Sequence, residues 1–203
     1  FSKGERPTGS SDPYALRRAG NGILQIICSN SLTLNLKTII ALSTEYWKDI
    51  FPELKIDTSQ LTDEISNFLR LRIVSLLEEE SVDADIIKAV AGTNVSTRYL
   101  LSNVYEVKLR ADLLTSMRQS GKLLALNNVV NRASKLADKG DLPIDILGPD
   151  NIVDPSKFES KSELALLKII RSIEPIVKDK SYGRYKKLAD KLVLASNALE
   201  EFF

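Results

Sequence analysis

The sequence predicts an all-α chain, a multi-helix bundle of about seven or eight helices in two helical subdomains. Three observations carry this. Apolar residues recur at three- and four-residue spacing through most of the 203 residues, the period of a helix with one buried face. No stretch of any length alternates apolar and polar residues, as a half-buried strand would. Capping and breaking residues fall between the apolar runs, at intervals that suit helices rather than hairpins.

The elements follow in order. Asp12 is a good N-cap and Pro13 suits a first turn, where no N–H is needed. A helix is therefore expected over 13–27, burying Leu16, Ile23, Leu24 and Ile27. Gly20 and Gly22 each weaken it by about 1 kcal/mol relative to alanine, and together point to close helix–helix approach. Leu34, Ile39, Ile40 and Leu42 predict a helix over 34–47, which Phe51-Pro52 ends. Thr58 and Ser59 cap a long helix whose first turns carry Asp63 and Glu64, anions that the helix dipole favours. Leu61, Ile65, Phe68, Leu69, Leu71, Val74 and Leu77 mark its buried stripe. At its far end Glu78-Glu79-Glu80 opposes the dipole, which predicts fraying or pairing with arginines.

A short helix over 83–91, capped by Asp83, closes at Gly92 as a C′ glycine. Residues 97–117 form the next helix. Ser120-Gly121 breaks the chain before another over 122–139. Two glycines and three prolines between 140 and 155 predict a loop. Helix resumes over 157–177, bent near Pro175. The last runs over 181–203, with Tyr185, Leu188, Leu192, Leu199 and Phe202 on one face. The division between subdomains is expected after the triple glutamate, giving 1–81 and 82–203.

Composition narrows the chemistry. Basic and acidic residues number 28 and 27, so any contact with nucleic acid must come from a local patch. There is no histidine and a single cysteine. That excludes Ser-His-Asp triads, histidine general bases and the usual zinc ligand sets within this segment. Cys28, in an apolar run, reads as a small core residue, and Trp47 as a core anchor. Asp83 and Asp85 resemble paired carboxylates, but capping accounts for the first. No apolar run approaches the ~20 residues of a membrane span, so no membrane partner is expected. No signal peptide opens the chain, and both ends read as cut from a longer polypeptide.

Two stretches go beyond composition. Thr8-Gly9-Ser10-Ser11-Asp12-Pro13-Tyr14-Ala15-Leu16-Arg17-Arg18-Ala19 closely resembles the TGSxDPxALRRA signature of the bacterial glycyl-tRNA synthetase beta subunit, and Gly22-Ile23-Leu24 is similar to its continuation. Residues 122–136 resemble a degenerate copy of the Lys-Arg-x-x-Asn-Ile-Leu helix of the anticodon-binding domain shared with arginyl-tRNA synthetases. There Arg132 matches the pattern's arginine, Asn131 stands for its lysine and Lys135 for its asparagine. Val153-Asp154-Pro155-Ser156-Lys157-Phe158 and Ala198-Leu199-Glu200-Glu201-Phe202-Phe203 are also similar to family segments. The resemblance covers about residues 6–203.

The resemblance implies the C-terminal part of the beta subunit of a glycine–tRNA ligase. Residues 1–81 would be a helical body region following an HD-type domain, and 82–203 a truncated anticodon-binding-like domain. The ligase would be a cytoplasmic alpha-two beta-two assembly with glycine tRNA as substrate. Its alpha subunit would bind ATP and Mg, so this segment would carry no cofactor and no catalytic residue. Arg132, Lys135 and Lys139 stand at i, i+3 and i+7 on one helix face, with Asn128 at i−4. These, together with Asn131, Arg17 and Arg18, are the expected tRNA-binding residues. Arg17 and Arg18 fit either an ion pair across helix packing or a phosphate contact. Arg110, Arg118, Lys186, Lys187 and Lys191 are weaker candidates. Tyr182 and Tyr185 flank Gly183-Arg184, as a stacking cluster or as core. Glycine anticodons share two cytosines, so readout needs acceptors for their amino groups or arginine to their oxygens. The alternative is a structural docking module for the alpha subunit or the upstream beta domains.

Overall fold

A computed structural model describes residues 1–8, 10–140, 148–150, 152–179 and 181–202, with every side chain among them but that of Pro13. Among the described residues it contains nine α-helices and no strand. They are α1 (Leu16–Ser29), α2 (Leu36–Ile50), α3 (Thr58–Glu79), α4 (Ala84–Ala91), α5 (Thr97–Ser102), α6 (Val104–Gln119), α7 (Leu123–Ala137), α8 (Lys161–Lys178) and α9 (Arg184–Phe202). Half of the loop expected over 140–155 lies outside the described residues.

The chain divides into two compact units, Phe1–Thr115 and Ser116–Phe203, with α6 running across the division. The boundary expected after residue 81 is not where the packing parts. One apolar core joins α1 to α6, from Leu24 through Ile73 and Leu77 to Leu100, Val107 and Ala111, so the chain beyond the triple glutamate still belongs to the first unit.

Within that unit α3 is the central rod, packed against α1, α2, α4 and α5. Its N-cap is Asp57, whose carboxylate accepts from the Gln60 N–H at 3.0 Å, one residue before the expected pair. Buried hydroxyls at the α2–α3 contact satisfy one another. Thr44 Oγ1 lies 3.0 Å from Thr62 Oγ1, and Ser66 Oγ donates to the Thr62 carbonyl at 2.6 Å. The Arg70 guanidinium donates to the carbonyls of Gly92 and Val95, the latter at 2.5 Å, and so ties α3 to the α4–α5 turn. At the far end of α3, Glu80 accepts from Lys108 Nζ at 2.5 Å: a lysine, not an arginine, answers the glutamate run. Burial works against this ammonium, yet Glu80 and Asp112 outweigh it and hold Lys108 above the ordinary lysine range.

Several local expectations shift for identifiable reasons. The first helix proper begins at Leu16, because Tyr14 and Ala15 are left-handed, with φ of 61° and 54°. Asp12 still caps it from further out, its carboxylate accepting from the Arg17 N–H at 3.1 Å. The helix expected over 97–117 is split at Asn103, whose backbone is extended. Gly92 is needed, but not for a left-handed cap. Its φ is −66°, and a Cβ there would stand 2.3 Å from the Lys88 carbonyl oxygen. Ile23, Leu71 and Trp47 are exposed rather than core; Trp47 stacks on Phe51 at 4.6 Å and donates to Ser2 Oγ. Cys28 is half-buried against the core, and burial pushes its thiol up, as befits an inert packing residue.

The two helix-1 glycines separate. A Cβ on Gly20 would meet Phe68 and Arg72 at 3.1 Å, so α3 does approach closely there, whereas Gly22 has open space. Gly22→Ala is therefore expected to raise stability by about 0.5–1 kcal/mol. Gly20→Val, with two added methyls against Phe68, is expected to lower it by about 1–3 kcal/mol. Urea melts of the two variants check the opposite signs.

The second unit is smaller. Val129 of α7, with Ala195 and Leu199 of α9, forms its buried centre, flanked by Leu166, Ile169 and Leu192. α8 starts with a capping box, the Ser160 N–H donating to Glu163 Oε2 at 2.6 Å and the Glu163 N–H to Ser160 Oγ at 3.4 Å. The Ser160 N–H, with that of Glu159, holds the Glu163 carboxyl below its usual range.

Candidate nucleic-acid interface

The Val129 contact orients α7. Residues at i+3 and i+4 from a buried position flank it, and those half a turn away face solvent. With Val129 seated on α9, Asn128, Arg132 and Lys135 fall along one lateral strip, and Asn131 lies further round. Lys139, expected on the same helix, follows in the turn after α7 ends at Ala137; all five are exposed. The structure thus brings together the expected α7 residues and keeps them out of the core.

The electrostatics concentrate at this helix. Residues 116–140 hold five basic side chains and one acidic, Asp138. The second unit as a whole carries 15 basic against 12 acidic residues, and the first 13 against 15. A nearly neutral chain therefore has a positive half with its charge gathered along one rod. Among the described residues, Arg132, Lys135 and Lys139 have no ion pair and no side-chain hydrogen bond. Lys135 also stands in the last turn of α7, where the dipole favours cations.

The remaining candidates behave differently. Arg17 is half-buried and Arg18 exposed, both in the first unit. Neither guanidinium pairs with a carboxylate among the described residues; what the structure uses at this point is the Arg17 N–H, held by Asp12. The left-handed Tyr14 and Ala15 beside it are a strained passage for residues with a Cβ. The Arg110 guanidinium is committed to the face of Tyr99, 4.6 Å from the ring centre. Arg184 lies 4.5 Å above the Tyr185 ring, so that aromatic is covered by its neighbour and half-buried. Lys186, Lys187 and Lys191 are exposed on α9.

One feature escaped the pattern of residues. The first unit carries an apolar groove of about 540 Å³ between α1 and α2, lined by Ile23, Ile26, Leu34 and Ile39 and floored by Phe68. Further along α2, Leu42, Tyr46 and Ile50 are more than half exposed. The available signal was that α1 and α2 hold more large apolar residues than one stripe needs. Among the described residues no helix is long and apolar enough to cross a membrane.

A family model described as "Glycyl-tRNA synthetase beta subunit" matches residues 1–92. The whole chain is similar to the glycine–tRNA ligase beta subunit of Acaryochloris marina, with 36% identity over 206 residues. It is similar also to that of Trichodesmium erythraeum, at 36% over 208 residues. Over 90% of its length it matches that of Clostridioides difficile at 28% identity, covering 25% of that relative. The chain spans about 28% of the length of the first two relatives.

Proposed function

Because the chain belongs to the glycyl-tRNA synthetase beta subunit family, we propose that it is the tRNA-binding segment of a glycine–tRNA ligase, holding the anticodon side of glycine tRNA on α7. The ligase is a cytoplasmic assembly of two alpha and two beta subunits. Its alpha subunit binds ATP and Mg and performs the acylation, while this segment supplies position and affinity. The observation behind this is the strip on α7: Arg132 and Lys135 exposed on a packed helix and Lys139 in the turn that follows it, none of them paired with a carboxylate among the described residues. Arg17 and Arg18 add a second phosphate contact from the first unit.

Binding of the chain to a glycine tRNA transcript, followed by fluorescence anisotropy, tests the proposal. Affinity is expected to fall steeply between about 50 and 200 mM salt. No measurable affinity at the lowest salt would end it. With ATP, glycine and tRNA added, the chain alone is expected to form no glycyl-tRNA; turnover would place catalytic chemistry in this segment.

A second reading, docking on another polypeptide of the ligase, is favoured by the groove between α1 and α2. Ile26→Glu puts a charge on an exposed wall of that groove. It is expected to leave the thermal midpoint within about 2 °C, since surface substitutions cost little. Capture by the alpha subunit in a pull-down is expected to be lost. Capture unchanged by the substitution would remove the groove from the assembly.

A further inference from the structure

We infer that the α7 strip grips the phosphate backbone of its RNA and does not read the anticodon bases, so that affinity and discrimination reside on different surfaces. The inference rests on the tRNA-binding reading above and assigns the chemistry of that same site.

Three observations carry it. The first is the kind of group presented. Arg132, Lys135 and Lys139 are donors without an acceptor atom, and donors suit phosphate oxygens. A cytosine amino group needs an acceptor, which none of the three offers, and Arg132 is the one of them whose type could reach a cytosine oxygen. The one carboxylate of residues 116–140, Asp138, caps the C-terminal end of α7 and has no ion pair with any of the three among the described residues. The second is the state of the two amides. Asn128 and Asn131 carry the acceptors nearest the strip, and neither is held by a hydrogen bond among the described residues. An amide that turns freely offers its oxygen to one base and its NH₂ to another, and discrimination requires a group fixed beforehand. The third is the absence of a stacking surface. α7 reads Leu-Leu-Ala-Leu-Asn-Asn-Val-Val-Asn-Arg-Ala-Ser-Lys-Leu-Ala, with no aromatic side chain on which a splayed base could lie.

The spacing agrees. At a rise of 1.5 Å per residue Arg132 and Lys135 are separated along the axis by about 4.5 Å, and Lys139 follows in the turn beyond the helix end. Such a ladder suits successive phosphates of one strand, and its flexible stems tolerate variation in the strand's path.

Two transcripts test this: glycine tRNA, and the same tRNA with both anticodon cytosines changed to adenosine. Salt titrations are compared for the unmodified chain and for Arg132→Ala/Lys135→Ala/Lys139→Ala, with circular dichroism showing that the variant is folded. The triple variant is expected to bind about tenfold or more weakly, by the same factor for both transcripts, with the slope of log K against log salt reduced by about 2. The charge-conserving variant Arg132→Lys/Lys135→Arg/Lys139→Arg is expected to stay within about threefold of the unmodified chain, since point charges carry most of a backbone contact. Asn128→Ala/Asn131→Ala is expected to leave the ratio of the two affinities unchanged. A loss confined to the cytosine-bearing transcript, an unaltered salt slope, or a ratio that moves in the asparagine variant would overturn the inference. If the unmodified chain shows no salt-sensitive binding to either transcript, it is the tRNA-binding reading that has failed.

Discussion

Val129→Asp is expected to unfold the Ser116–Phe203 unit while the Phe1–Thr115 unit stays folded. Val129 is 4% exposed at the seat of α7 on α9, where it forms a buried cluster with Ala195 and Leu199. A carboxylate there finds no cation or donor in the apolar contact to replace its water. The penalty is several kcal/mol, about 4 or more, which is comparable to the total stability of a small helical unit. The first unit has its own continuous core from α1 to α6 and does not depend on that seat. Thermal circular dichroism is expected to show loss of part of the helical signal at 25 °C with one remaining transition. RNA affinity is expected to go with it, because the α7 strip is oriented by this contact. Retained affinity would mean that the strip is not the binding surface; a fully cooperative melt at the original midpoint would mean that α7 is not seated through Val129.

Ile73→Ala is expected to cost the first unit about 3 kcal/mol. Ile73 is 1% exposed on α3, the helix that touches four others, so the surroundings cannot collapse onto the vacated volume without moving several elements. For a unit of this size that corresponds to a midpoint lower by about 10–20 °C. Leu71, two residues away on the same helix, is 57% exposed, and Leu71→Ala is expected to change stability by no more than about 0.5 kcal/mol. Urea denaturation of both variants decides the matter. Equal losses would show that α3 is buried all round and that the orientation described for it is wrong.

Much of this architecture was legible in the residues. The helical period placed α1, α2, α3, α4, α7 and α9 to within a few residues, because each carries apolar residues at helical spacing. Asp12 was recognisable as a cap, and Gly121 as a break; the latter is left-handed, with φ of 72°. Where the reading missed, the cause lay at a distance in sequence. The split at Asn103 interrupts an apolar pattern that continues in phase on both sides, so periodicity gave no warning. Leu71 and Trp47 are large and apolar, and their type alone pointed inward, yet their helix faces outward at those turns. The subdomain boundary misplaced at the triple glutamate is of the same kind. A charge run breaks local propensity, while the core of Leu24, Ile73, Leu100 and Val107 continues past it.

The α7 strip was legible because it is local: Arg132 and Lys135 at i and i+3, with Asn128 at i−4, share a helix face whatever the rest of the chain does, although the helix ends at Ala137 before Lys139. That this face lies in solvent, and that none of the three cations is consumed by a carboxylate among the described residues, was not in the pattern. Arg110 and Arg184 show the difference, since both were candidates by type and both turn onto tyrosine rings. Helix period, caps and family signature are properties of neighbouring residues, fixed by backbone geometry and short-range hydrogen bonds, and the chain carries them openly. Which face is covered, which cation is left unpaired and where one core ends and the next begins depend on contacts between residues far apart in the chain. Only the folded molecule decides those.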